Sequence, residues 1–248
     1  QDVRVRQAIS LSIDRQGIIG SILKGAASAA AADQSPLSWA YNPVAKAPAR
    51  DVNAAKGLLE QAGYKLGADG YYAKEGRRLS FSILTTAGNK TREAVGQAIV
   101  QQLKETGIEA ELRPIDPKVL FDDVLKNRRF ETAMYAWVAG ADPDNAIFWH
   151  SKNIPNGKNG YQGQNYPGWR NQEVDTLTDQ GARSTDLNFR RQAYFRIQEL
   201  IMAEVPVIPL YYRSNIDAVK DIVVNYKPNP TPAGNLWNAW EWGLTKKR

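Results

Sequence analysis

The stretch from Leu79 to Arg113 restricts the fold more than any other part of this 248-residue sequence. Leu79, Phe81 and Ile83 recur at every second position, the period of a strand. Between about 91 and 106 the period changes, and Val95, Ala98, Ile99 and Leu103 fall on one helical face that Gly107 closes. Ile108, Ala110 and Leu112 then alternate with Glu109, Glu111 and Arg113 in a second strand. Strand, helix and strand at this spacing predict a βαβ unit, so the two strands run parallel with a right-handed crossover. Asp116-Pro117 opens a further helix, with Asp capping and Pro at the first position, which turns Leu120, Phe121 and Val124 inward. The mostly apolar run 130–138 predicts a third core strand covered on both faces. The expected class is α/β, with a mixed, partly parallel sheet flanked by helices.

On either side of this unit the pattern is helical. Asp2 caps a helix with Val5, Ala8, Ile9, Ser12 and Ile13 on one face, and Asp14 caps a shorter one carrying Ile18, Ile19 and Ile22. Asp51 caps a third, with Ala54, Ala55, Leu58, Leu59 and Ala62 on one side and Gly63 just past its end. Asn171 and Asp186 cap two more. The first carries Val174, Leu177 and Ala182, and the second buries Ala193, Tyr194, Ile197, Leu200 and Ile201. Residues 26–48 and 139–169 lose all periodicity. We expect two long loops, the alanine-rich start of the first being loop or frayed helix end, with Trp39 and Tyr41 pinning it down. Residues 207–212 predict a strand that Pro206 and Pro209 place at an edge or a domain crossing. Beyond Arg213 stand short strand-like pieces and a cluster of Trp237, Trp240 and Trp242.

Composition removes several functions. With no cysteine there are no disulfides, thiolate metal sites or cysteine nucleophiles, and His150 is the one histidine. No nucleophile elbow, phosphate-cradling glycine loop or HExxH is present, so we assign no catalytic residue, metal or cofactor. The net charge of +6 comes from scattered arginine pairs mixed with 26 acidic residues and a short basic tail at 246–248. A nucleic-acid binder concentrates charge on one face instead. No apolar run reaches the roughly 20 residues of a membrane span.

The segment from Trp137 to Asn145 leaves the expected C-terminal end of a sheet strand, where open α/β sheets bind ligands. Trp137 can stack on an apolar group, and Asp142 can pair with a cation. Asp142 and Asp144 could also make a turn and cap the helix that follows, with Asp144 as the cap. A hydrolase using both carboxylates remains an alternative, although they stand too close in sequence for an obvious opposed acid and base.

Taken in order, several segments resemble the peptide-type (family 5) extracytoplasmic solute-binding proteins of ABC importers. They are Asp2 to Arg15, Ser38-Trp39-Ala40-Tyr41-Asn42-Pro43, Ala54 to Tyr64, Asp142-Pro143-Asp144-Asn145, Asn171 to Asp175, and Val205 to Tyr211. The resemblance covers essentially the whole chain. It implies a lobe of the type II periplasmic-binding-protein class, in which solute is trapped between two lobes and handed to membrane permease subunits. Residues 1–212 would form the second lobe. Residues 213–248 would return to a first lobe lying outside this chain. It further implies a periplasmic or cell-surface location, with a lipid anchor possible on the missing part, and a binding role rather than an enzymatic one. The solute would be a peptide or oligopeptide; an opine, sugar or metal chelate on the same fold is the alternative. In many members an Asp follows closely after the strand-end Trp and pairs with a peptide's α-amino group, whereas here Val138-Ala139-Gly140 is neutral and Asp142 is the first carboxylate. The expected ligand-binding residues are Trp137, Ala139, Gly140, Asp142, Asn165 and Tyr166, the last two because Asn165-Tyr166 resembles a cleft-lining segment.

Overall fold

The computed structural model describes residues 2–138, 140–229, 231 and 233–245. Local caps set the helices. α1 (Val3–Ser12) starts where the Asp2 carboxylate accepts from Arg4 N at 2.9 Å, and α2 (Arg15–Ser21) where Asp14 accepts from Gly17 N at 2.8 Å. These bonds satisfy amides that a helix start otherwise leaves bare. β1 (Ala27–Ala29) follows. α3 (Val52–Gln61) is capped by Asp51 and ends at Gly63, whose φ of +88° a residue with a side chain rarely adopts. β2 (Lys65–Leu66), β3 (Tyr72–Lys74) and β4 (Arg77–Arg78) form a small antiparallel meander.

The sheet at the centre has three parallel strands in the order β6–β5–β7: β5 (Ser80–Thr86), β6 (Glu109–Ile115) and β7 (Thr132–Met134). α4 (Lys90–Thr106) crosses between β5 and β6, capped by Asn89 and closed by Gly107 in the left-handed region. Its buried face, Val95, Ile99 and Leu103, packs with Ile83, Ile108, Leu59 and Tyr72 in the largest apolar cluster. α5 (Pro117–Val119) is a single turn under the Asp116 cap and passes directly into a π-helical turn over Leu120–Leu125. α6 (Ala146–Trp149) is short. α7 (Gln172–Arg183) and α8 (Leu187–Glu204) pair around a second cluster of Trp149, Trp169, Val174, Tyr194 and Ile197. β8 (Tyr211–Arg213), β9 (Val223–Val224) and β10 (Gly243–Leu244) complete the chain, the last two paired with each other.

Several expectations change. The alanine-rich segment is not a frayed helix end: β1 pairs antiparallel with β8, and Ala30, Ala31 and Ala32 are buried behind it. The expected strand at 207–212 is ordered as strand only from Tyr211, because Pro206 and Pro209 cannot donate to a ladder. The strand expected over 130–138 is regular for three residues, and Ala136 and Val138 are exposed, so one face there is open. In the helix after Asp116 the expected inward residues Leu120, Phe121 and Val124 do pack into one apolar cluster, which the π turn extends to the fully buried Leu125. On α7 the buried small residue is Gly181, against the Tyr194 ring, and Ala182 is exposed. Trp237 packs edge-on to Trp240, while Trp242 packs on Tyr226 instead of joining them. The two aromatics of the first loop do pin it, Trp39 against Tyr194 and Tyr41 against Tyr212. Ala139 and the basic tail at 246–248 lie outside the described residues.

Leu103 is fully enclosed between α4 and the sheet. Leu103→Ala should lower unfolding free energy by about 2–5 kcal/mol in urea titrations, the cost of transfer plus cavity. The same truncation at exposed Leu187 should stay within about 0.5 kcal/mol.

Candidate functional site

β7 stops at Met134 and the chain runs on through Tyr135-Ala136-Trp137-Val138. Extended backbone turns alternate side chains to opposite faces, so Tyr135 and Trp137 share one face, with ring centroids 5.7 Å apart and nearly perpendicular. Tyr166 reaches Tyr135 from the long irregular segment at 6.2 Å, and Phe121 from the π turn at 5.6 Å. Phe148 lies 4.7 Å from Trp137, and Trp149 meets it edge-on at 5.2 Å. Offset and edge-on pairs of this kind hold rings in fixed orientations. Together Phe121, Tyr135, Trp137, Phe148 and Tyr166 line a hollow of about 420 Å³ at the C-terminal edge of the parallel sheet.

The polar groups around it are few. Asp122 and Lys126 pair with each other at 3.3 Å on one rim, and Gln164 stands on another. Burial raises the pKa of both the Tyr135 and Tyr166 phenols, Tyr166 further through nearby Asp122, so each remains a neutral hydrogen-bonding group. The Tyr166 backbone is fixed by Arg128, whose Nε donates to its carbonyl at 3.1 Å.

Of the residues expected from the sequence, Trp137 and Tyr166 come together in this hollow. Gly140 is exposed on the loop beyond it, and Ala139 lies outside the described residues. Asp142 does not line the hollow. Its carboxylate accepts from Arg190 Nη2 at 2.7 and 2.8 Å, and that guanidinium lies 5.2 Å from the Trp39 ring and 5.8 Å from Tyr194. Asp144 accepts from Ala146 N at 3.0 Å at the start of α6, and its own N–H donates to Asp142. Asn165 is fully enclosed: its Nδ2 donates to the carbonyls of Trp149, His150 and Trp169, and its Oδ1 accepts from Trp169 N. Its amide therefore fixes the segment carrying Tyr166 rather than facing the hollow. His150 is also enclosed, with Nδ1 accepting from Lys152 N and Nε2 turned toward Asp179 at 3.5 Å. Sequence reasoning missed Tyr135, Phe121 and Phe148. The period-two step from Trp137 back to Tyr135 was the available signal for the first; the other two arrive from different elements.

The model for bacterial extracellular solute-binding proteins, family 5 Middle, matches residues 1–159. The chain belongs to that family. The oligopeptide-binding protein AppA of Bacillus subtilis is 31% identical over 250 residues, an alignment that takes in 99% of this chain and 45% of AppA. The solved structure of AppA in complex with a nonapeptide superposes with a TM-score of 0.85 at 30% identity, covering 99% of this chain and 48% of that one. The oligopeptide-binding protein of Thermus thermophilus, complexed with a pentapeptide, gives 0.84 at 32% identity, covering 100% and 45%. NikZ of Campylobacter jejuni, in complex with Ni(L-His), shares the fold at 0.81 and 20% identity, covering 98% and 48%. The fold is accordingly that of a type II periplasmic-binding-protein lobe, and the chain spans about half the length of the curated relatives it matches. Among the described residues no helix is long and apolar enough to cross a membrane.

Arg190 is the member of this neighbourhood with the most specific demands: a flat cation between two rings that also reaches Asp142. Arg190→Ala should destabilise the family 5 lobe by about 1–2 kcal/mol by thermal or chemical denaturation. Arg190→Lys should recover less than about half, because an ammonium neither stacks on a ring nor reaches both Asp142 and the Gly181 carbonyl that Nε binds at 2.8 Å.

Proposed function

We propose that this chain is the second lobe of an extracytoplasmic solute-binding protein that captures a peptide and delivers it to an ABC permease, acting by binding and not by catalysis. The observation that carries the reading is the aromatic hollow around Trp137, formed at the sheet edge where the fold class holds its ligands. AppA and the Thermus protein, two relatives of known structure near 30% identity, were solved with a nonapeptide and a pentapeptide. Residues 1–212 supply the lobe. The segment from 213 onward returns to a first lobe, a reading supported by the exposure of Ile216, Leu236, Trp240 and Leu244 on it.

The peptide is held through ring faces and backbone hydrogen bonds rather than through its terminal ammonium. Asp142, the first carboxylate after Trp137, is neutralised by Arg190, and Asp144 is spent on the start of α6. A solute with no free amine, such as an opine, sugar or metal chelate, fits the same arrangement and is the second reading. Native mass spectrometry of the whole two-lobed protein as purified separates them by the mass of what it retains.

Titration calorimetry on that protein gives the sharper test. Acetylating the amino terminus of a bound pentapeptide should change its Kd by less than about threefold. Trp137→Ala should weaken binding at least tenfold, about 1.4 kcal/mol or more, as expected for a buried aromatic anchor. Unchanged affinity in Trp137→Ala would move the site away from this hollow. A large loss on acetylation would restore an ammonium anchor.

A further inference from the structure

Residues 30–34 dock beneath the loop that follows β7. Asn145 Nδ2 and Trp149 Nε1 both donate to Asp33 Oδ2 at 2.8 Å, and Gln34 Nε2 donates to the Pro143 carbonyl at 3.1 Å. What remains is anomalous. Asp33 Oδ1 and Asn145 Oδ1 are sealed from solvent without a hydrogen-bond partner, and so is Trp137 Nε1. If Asp33 were ionised, the first two would both be bare acceptors on side chains already joined by one hydrogen bond. Each such atom costs roughly 1–3 kcal/mol, more when charged.

Among the described residues no ion pair joins Asp33 to a cation. Asp142 and Asp144, on the same loop as Asn145, are acidic, and Arg190 is committed to Asp142. From the strand side comes Tyr212, whose hydroxyl donates to the Ala32 carbonyl and whose ionisation Asp33 opposes; Tyr41 packs edge-on to it. One proton resolves the mismatch. With Oδ1 protonated, Asp33 donates to Asn145 Oδ1 while Asn145 Nδ2 donates to Asp33 Oδ2, the paired ring by which a carboxylic acid meets a primary amide.

We propose that Asp33 is a neutral acid in the folded chain and that its pair with Asn145 positions the aromatic hollow, by holding the Trp149 ring on which Trp137 packs edge-on. The significance of that positioning rests on the hollow being the solute site; the protonation state does not. Burial raises the Asp33 pKa, against donors on Trp149, Asn145, the Asp33 backbone and Gln34 that lower it. For a raised carboxyl, the stability due to the proton is fully present below the ordinary carboxylate range and is lost as pH rises through the folded value.

The test uses this chain with no solute, so its outcome is independent of whether the hollow binds peptide. NMR follows the Asp33 carboxyl and the indole N–H signals of Trp137 and Trp149 from about pH 4 to about pH 9. Asp33 should titrate above the ordinary carboxylate range, and both indole signals should move with its midpoint. In Asp33→Asn, whose amide supplies the donor permanently, those signals should be independent of pH and match the acid form of the wild type. The Tm of Asp33→Asn should equal or exceed that of the wild type at about pH 8, whereas Asp33→Ala should lose about 4–8 °C. Titration in or below the ordinary range, or a loss in Asp33→Asn as large as in Asp33→Ala, would overturn the proposal in favour of an ionised Asp33 bridged by water or a cation.

Discussion

Backbone hydrogen bonds from β5 to β6 on one side and to β7 on the other make three strands end at the same edge, and the chemistry of the lobe collects there. Parallel strands cannot be joined by tight turns, so each must leave this edge through a longer excursion. β5 exits into α4, β6 into the Asp116 cap and π turn, and β7 into Tyr135 and Trp137. Phe121 therefore meets Tyr135 although β5 lies between β6 and β7, because both outer strands end at this edge and the turn after β6 passes over the end of β5. The crossover is pressed close to the sheet at Gly96, where a Cβ would stand 2.5 Å from Leu112 Cδ1. That glycine serves approach, not backbone freedom, and fixes how near α4 lies to β6.

Much of this was legible because it is local. A cap needs one side chain and amides two or three residues away, so Asp2, Asp14, Asp51, Asp116, Asn171 and Asp186 could each be read from sequence. The βαβ unit was legible because its two periods change within 35 residues. Pairings across long separations were not. Nothing in Ala27-Ser28-Ala29 announces a strand until Tyr211–Arg213, more than 180 positions away, supplies its ladder. The π turn was hidden for another reason: it keeps Leu120, Phe121 and Val124 inward and adds Leu125 without altering composition.

The candidate site shows the same divide. Trp137 stood out as an aromatic before a turn and Tyr166 by its resemblance to a cleft-lining segment, and both line the hollow. Asp142 stood out as the carboxylate after Trp137, but its partner Arg190 lies 48 residues on, and no spacing rule connects them. Asn165 drew notice as part of a motif, and only the fold reveals that three backbone carbonyls use its amide. Asp33 was invisible in a segment without pattern, since its importance comes from being enclosed by Trp149 and Asn145.

Charge around the hollow is settled within the lobe. Asp142 has Arg190, Asp122 has Lys126, and Asp144 has the first amide of α6. What the lobe presents at this edge is a set of ring faces, two neutral phenols and Gln164. Ring faces reward contact area and tolerate variation in side-chain chemistry, whereas a buried ion pair would demand one functional group and penalise its absence. On the proposed reading, a surface of that kind suits a solute defined by a repeating backbone with changing side chains. Under that proposal, selectivity depends on how firmly the rings are held, which places the burden on the enclosed polar contacts of Asp33, Asn145 and Asn165.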